Sequence, residues 1–331
     1  MTIDLTDTTT GAIDRALTET RRRLGGMTMG MVLTLLIMTD EEGQYDAIRA
    51  ANQAATEHPM RILAIITRRP KADSRLDAEI RVGEASPGET IVLRMYGPLG
   101  QHADSVAAPL LAPDVPVVTW WPDEAPPAPS GDPLGMVAQR RVTDAAASDS
   151  PQDMLLTLAK AYKPGDTDLS WTRATSWRTL LAATLDQPYP ALLAGEVLAE
   201  PGNPSADLIA AWLGARLGIP VHRGESDGPG ITEVSFETAD GKVSLSRPDG
   251  RNATLAWPGR PERPRSRTST WSCRTSARTP TPTASRPGTR SPSSTTSWPA
   301  RSRSSRTTST ATEGCSSSPS TRASPTARCG P

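Results

Sequence analysis

The chain has 331 residues, with 36 lysines and arginines against 36 aspartates and glutamates, so its formal net charge is zero. The balance hides a split: from Arg263 onward there are 12 arginines, no lysine and one acid, Glu313, leaving 24 basic against 35 acidic side chains in the first 262 residues. All three cysteines (Cys273, Cys315, Cys329) lie in the basic tail, which excludes disulfides, thiolate-bound zinc, iron–sulfur clusters and a cysteine nucleophile from the body.

In chain order, Asp14, Ala16, Leu17 and Leu24 mark an amphipathic helix over about Thr10 to Leu24. Arg21 to Arg23 suit its negative end, and Gly25-Gly26 stop it. Met31 to Met38 is an apolar run of strand length, the pattern of a strand buried on both faces. Asp40 is expected to cap the next helix, with Tyr45, Ile48, Ala51 and Ala55 on its inner face and His58-Pro59 closing it. Arg61 to Thr67 is a second buried strand, so the three elements form a strand–helix–strand unit with parallel strands.

The pattern then turns to alternation. Ala78, Ile80 and Val82, and after a Pro-Gly loop Ile91, Leu93 and Met95, predict an antiparallel hairpin. A helix is expected from Leu99 to Leu111, then a strand from Val115 to Trp120 and an exposed loop from Asp123 to Gly131. Ser150-Pro151 opens a helix running to about Tyr162, and Trp177, Leu180, Leu181, Thr184 and Leu185 line another. Leu192 to Leu198 reads as a strand, and Asn203-Pro204 opens a helix that Gly218 ends. Short strands follow at Ile219 to His222, Ile231 to Thr238, Lys242 to Ser246 and Thr254 to Trp257, with Asp240-Gly241 as a hairpin turn. The fold class expected is α/β: two mixed α/β domains, residues 1–150 and 151–262, followed by a disordered tail at 263–331.

Of the 69 tail residues, 18 are Ser, 15 Thr, 12 Arg and 9 Pro, and none is Leu, Ile, Val, Met, Phe or Tyr. Such a segment has no core to offset the entropy of ordering. It admits three readings: a low-complexity tail, an arginine arm for nucleic acid, or an out-of-frame translation. Apart from Glu313 it uses only Ala, Arg, Cys, Gly, Pro, Ser, Thr and Trp, the residues whose codons carry G or C in the middle. A one-base loss in a GC-rich gene gives that set automatically, so the frame slip is favoured and no nucleic-acid partner is expected.

No phosphate loop, dinucleotide-binding glycine fingerprint, Gly-x-Ser-x-Gly elbow or His-Glu-x-x-His pair occurs. No catalytic residue, cofactor or metal is therefore expected. Met27 to Met38 is too short to span a bilayer and Met1-Thr2-Ile3-Asp4 opens no signal peptide, so the reading is cytoplasmic with no membrane. Trp120-Trp121 must split across a strand, one ring inward and one outward, and an outward Trp beside a Pro-rich loop suits a partner contact. Arg140-Arg141 and His102 complete the candidate partner-binding set. The same Arg140, Arg141 and His102 would be the polar groups of the alternative, a sugar-phosphate sensor or small-molecule enzyme.

Several segments resemble the OpcA family, glucose-6-phosphate dehydrogenase assembly proteins of actinobacteria and cyanobacteria. They are His58-Pro-Met-Arg-Ile-Leu63, Leu93-Arg-Met-Tyr-Gly-Pro-Leu99 with His102-Ala-Asp-Ser105, and Pro116-Val-Val-Thr-Trp-Trp-Pro122. Asp132-Pro-Leu-Gly135 with Gln139-Arg-Arg141, and Leu169-Ser-Trp-Thr-Arg173 with Trp177-Arg178, extend the likeness, which runs from about Thr8 to Trp257. The resemblance implies a non-enzymatic protein that binds glucose-6-phosphate dehydrogenase and promotes its active oligomer. It thereby implies support of NADPH supply through the oxidative pentose phosphate pathway. It carries over no catalytic residue, and with no cysteine in the body the thiol control linked to cyanobacterial members has no counterpart here. The likeness ends where the composition breaks. Resequencing the gene across codons 257–264 is expected to reveal a lost base; an uninterrupted frame together with the same tail in intact protein would contradict the frame slip.

Overall fold

Apolar strands need cover on both faces, and the fold follows from how far the chain supplies it. The computed structural model describes residues 1–23, 30–69, 71–83, 88–186 and 189–265, with the backbone alone for 260–265. The expected Gly25-Gly26 stop, the tip of the Pro-Gly loop and the tail from residue 266 lie outside those residues.

Eight strands form the first sheet: β1 (Thr2–Leu5), β2 (Leu33–Thr39), β3 (Met60–Arg68), β4 (Arg75–Val82), β5 (Glu89–Tyr96), β6 (Val117–Trp120), β7 (Arg140–Thr143) and β8 (Asp166–Asp168). Their order is β1-β4-β5-β3-β2-β6-β7-β8. From β5 to β8 all neighbours are parallel, while β4 is antiparallel to both β5 and β1. The expected parallel unit is present, with Leu33 opposite Met60 and Thr39 opposite Ile66, and so is the hairpin, with Ile80 opposite Ile91.

The helices are α1 (Thr10–Arg23), α2 (Gln44–Ala55), α3 (Ala103–Ala107), α4 (Pro133–Met136), α5 (Pro151–Ala161), α6 (Leu169–Arg173), α7 (Thr175–Leu185) and α8 (Pro204–Leu217). Ile13 and Leu17 of α1, Val106 of α3 and Leu134 of α4 share one core with Leu63, Ile65, Ile91 and Leu93 on one face of the sheet. On the other face α2 packs Ala47, Ala51 and Ala55 against Leu35, Ile37 and Ile62, and Ile48 against Ala64, Ile66 and Val92. The β2–β3 crossover therefore runs on one face and the β5–β6 and β6–β7 crossovers on the other.

The second sheet comprises β9 (Leu192–Ala199), β10 (Val221–Glu225), β11 (Ile231–Thr238), β12 (Gly241–Ser246), β13 (Ala253–Trp257) and β14 (Arg260–Arg265), in the order β10-β9-β11-β12-β13-β14. Trp177 and Leu181 of α7 and Ile209 and Leu213 of α8 pack with Val197, Val234, Phe236, Val243 and Leu245 of this sheet. Asn203 caps α8 by accepting from the Ala206 N–H at 3.1 Å, and Gly218 ends it at φ 67°, a left-handed conformation that favours glycine. Residues Met1–Ser272 gather into one unit. The first sheet takes β8 from beyond residue 150, and β14 crosses residue 262.

Two expectations need correction. Asp40 caps a turn rather than the helix: its Oδ1 accepts from the N–H groups of Glu42 and Gly43 at 2.9 and 2.7 Å, and α2 begins only at Gln44. Tyr45 stands about 100° around the helix from the buried stripe of Ala47, Ile48, Ala51 and Ala55, and it is 69% exposed. The helix expected over Leu99 to Leu111 is three short pieces, a 3₁₀ turn Gly97–His102, α3, and a 3₁₀ turn Ala108–Leu110. Pro98 and Pro109 supply no N–H and each stands at the start of one of the 3₁₀ turns. Val106 and Leu110 are buried as expected.

Glu89 opens β5 fully buried between two arginines. Arg21 of α1 donates through Nε and Nη2 to its two oxygens at 2.6 and 2.8 Å. Arg61 of β3 donates through Nε at 2.9 Å and spends Nη1 on the Leu110 carbonyl at 2.7 Å. Burial alone would push the Glu89 carboxyl up, but the Arg21 hydrogen bond and the Arg61 charge outweigh it and hold it below the ordinary range. Burial pushes the Arg61 guanidinium down against the pull of Glu89, while the hydrogen bond to Glu89 raises Arg21. Glu89→Gln leaves the buried Arg61 and the partly exposed Arg21 without their counter-ion and is expected to cost about 3 kcal/mol in urea unfolding; a loss under about 0.5 kcal/mol would contradict this. Because the native carboxyl is depressed, its contribution is complete above about pH 4.3 and fades as the pH falls from there toward the native value. The same variant should therefore flatten the acid limb of the stability profile.

Candidate functional site

Adjacent residues of a strand point to opposite faces, and that rule sorts the two residue pairs singled out in the sequence. β6 and β7 are parallel neighbours with Val118 opposite Arg140, Thr119 opposite Arg141 and Trp120 opposite Val142. Val118, Trp120, Arg140 and Val142 consequently share the face that carries α2. Thr119 and Arg141, with Trp121 just beyond the strand, turn to the main core.

Trp121 is 3% exposed, packed in the main core with Ala125, Leu134 and Ala138, and its backbone N–H donates to the Val142 carbonyl at 3.0 Å. Arg141 is buried and its guanidinium is fully engaged. Nε pairs with Asp166 of β8, Nη1 donates to the Ala138 carbonyl at 2.9 Å, and Nη2 donates to the Pro164 carbonyl at 2.7 Å. Gly135 lies under this arginine because a Cβ there would stand 1.7 Å from the Pro129 carbonyl oxygen.

Trp120 and Arg140 reach the surface. Trp120 is half-buried, packed with Leu33 and Val118 onto the cluster under α2, and its indole N–H is enclosed without an acceptor among the described residues. Arg140 is exposed, with no ion pair or hydrogen bond to its side chain among the described residues. Val142 is half-buried beside them. This part of the sheet face is an apolar strip with one free cation, flanked by α2. On the other flank of α2 a groove of about 350 Å³ is lined by Tyr45, Ile48, Arg49 and Arg81.

His102 is exposed at the end of the turn after β5, and β3 and β2 lie between β5 and β6, so the structure does not bring it to Trp120 and Arg140. Sequence reasoning missed the pairing that joins the sheets. Asp144, after β7, accepts a bidentate bond from Arg173 of α6, the Nη1 contact at 2.6 Å. Asp168 of β8 accepts from Thr143 Oγ1 at 2.7 Å and the Ala145 N–H at 2.9 Å. Farther along, the Arg178 guanidinium lies 3.9 Å from the Trp171 ring centroid, and Trp171 meets Trp212 edge-on at 6.4 Å. No cluster of three metal-ligating side chains occurs among the described residues, and no helix among them is long and apolar enough to cross a membrane.

Fold and surface together define a two-sheet α/β protein whose first sheet presents an incompletely covered face. Residues 51–160 match the family model described as the glucose-6-phosphate dehydrogenase subunit N-terminal domain, and residues 164–309 match that of the C-terminal domain. The chain belongs to this family, OpcA, the glucose-6-phosphate dehydrogenase assembly proteins. The second match runs past Trp257, where the resemblance read from the sequence ended. No curated protein matches the chain.

The inward and outward tryptophans should differ sharply on truncation. Trp121→Ala empties a core position and is expected to cost about 3–5 kcal/mol, whereas Trp120→Ala should cost about 1–2 kcal/mol in the same denaturant titration. Equal losses would contradict the assignment of the two faces.

Proposed function

We propose that the chain is a non-catalytic factor that binds glucose-6-phosphate dehydrogenase and promotes its active oligomer. The observation that carries this reading is the pair of family matches, both to models described as domains of a glucose-6-phosphate dehydrogenase subunit. A protein acting this way shifts the dehydrogenase toward its competent state only by the difference in its affinity for the two states. By doing so in the cytoplasm it would sustain NADPH production in the oxidative pentose phosphate pathway.

The exposed strip supports a contact role for Trp120 and Arg140, residue types that recur as anchors in interfaces. Trp121 and Arg141 serve the same contact from beneath, by holding β6 and β7 in register and tying β7 to β8. His102 offers a separate polar contact at the edge of β5.

Adding the full chain to purified dehydrogenase, while initial rates of NADP reduction are followed, should give a saturable rise with no turnover by the chain alone. Replacing Trp120 by Ala should lower the apparent affinity about tenfold or more. No rise with either this chain or one restored to frame would overturn the reading.

A further inference from the structure

The last strand of a sheet presents a row of backbone groups with no neighbour, a template for pairing with another chain. Four such edges occur among the described residues: β1, β8, β10 and β14. β1 is four residues long, β8 three, and β14 carries Pro261 and Pro264, which have no N–H to offer. The longest edge without a proline is β10, five residues in an uninterrupted parallel register against β9. At the two ends of that register Gly195 donates to the Pro220 carbonyl and Ser226 to the Ala199 carbonyl, both at 2.9 Å. The even-numbered residues of β10 therefore turn their backbone groups to β9. The N–H and C=O groups of Val221, Arg223 and Glu225 point out of the sheet and have no partner among the described residues.

The side chains of this edge complement themselves. Arg223 is held on the α8 side of the sheet, its Nε 3.3 Å from Asp207 Oδ1 and its Nη2 donating to the Glu200 carbonyl at 2.8 Å. Glu225, on the same side, is exposed and has no hydrogen bond or ion pair among the described residues. Two antiparallel copies of β10 can pair only odd residue with odd residue, because those residues carry the free groups. Arg223 opposite Arg223 would set like charges against each other, which destabilises a cross-strand pair. Placing Gly224 on the two-fold axis instead puts Arg223 of each copy opposite Glu225 of the other. Glycine then stands where two antiparallel strands approach most closely.

We infer that two copies of the chain pair through β10 in this register, joining their six-stranded sheets into one across a two-fold axis. Each Arg223–Glu225 pair exchanges both its outward backbone hydrogen bonds and sets opposite charges side by side. The pairing needs nothing from the dehydrogenase. Its consequence rests on the assembly-factor reading above: a two-fold pair carries two copies of the Trp120 and Arg140 strip, a valency with which one factor can hold two dehydrogenase subunits.

Sedimentation velocity on the full chain alone, from about 1 to about 300 µM, should show a monomer–dimer exchange with its midpoint in that range, as befits a small interface. Amide hydrogen exchange across Val221 to Glu225 should slow as the dimer forms, because its outward N–H groups become bonded. Glu225→Lys sets cation against cation at both pairs and should weaken dimerisation about tenfold. Glu225→Pro removes an outward N–H while leaving the ladder to β9 intact, and should weaken it as well. Glu57→Lys makes the same charge change at an exposed position after α2 and should stay within about twofold of wild type. A chain that is monomeric throughout would overturn this inference while leaving the assembly-factor reading intact. So would a dimer that leaves exchange across β10 unchanged, or one that Glu225→Lys and Glu57→Lys weaken equally, because the effect would then belong to net charge.

Discussion

A single buried carboxylate holds the first sheet to its main helix. Glu89 has no access to water and is held by Arg21 from α1 and Arg61 from β3, and Arg61 also holds the Leu110 carbonyl. Four segments far apart in the chain thus meet at one ionised group that is stable only while both arginines stay in place. The same device recurs where order is needed next: Asp166 with Arg141 fixes β8 to β7, and Asp144 with Arg173 carries the chain from the first sheet into α6. Three arginines in the segments that carry the family resemblance, Arg61, Arg141 and Arg173, are therefore the cations of three structural pairs.

Those pairs decide what remains for the surface. Because Arg141 is consumed by Asp166 and two carbonyls, the Arg140-Arg141 pair presents one cation and not two. Because Trp121 fills the core, Trp120 is left against α2 with its outer side open. The contact proposed for Trp120 and Arg140 rests on that division: the inward member of each pair sets the register, and the outward member is left on a face that a single helix only partly covers.

Much of the fold was legible in the sequence because burial on both faces leaves long apolar runs. β2 and β3 were readable for that reason, the β4–β5 hairpin from its alternation, and α8 from its ends at Asn203 and Gly218. β7 and β8 were not, since strands of four and three residues are too short to show a period. The pieces between Gly97 and Leu110 look like one amphipathic helix by periodicity, and two prolines divide them. Glu89 gave no signal because its partners lie 68 and 28 residues away. For the candidate site, the split of Trp120 from Trp121 follows from the pleat alone. Which ring faces the core depends on where α3 and α4 cross the sheet, and no local pattern encodes that.

The central claim is that the chain acts by binding the dehydrogenase and changing its assembly, and sedimentation velocity on the two purified proteins addresses it most directly. The account predicts that the chain co-sediments with the dehydrogenase and moves its distribution toward a larger, active species in a saturable way. A chain that sediments alone beside an unchanged dehydrogenase distribution would contradict it.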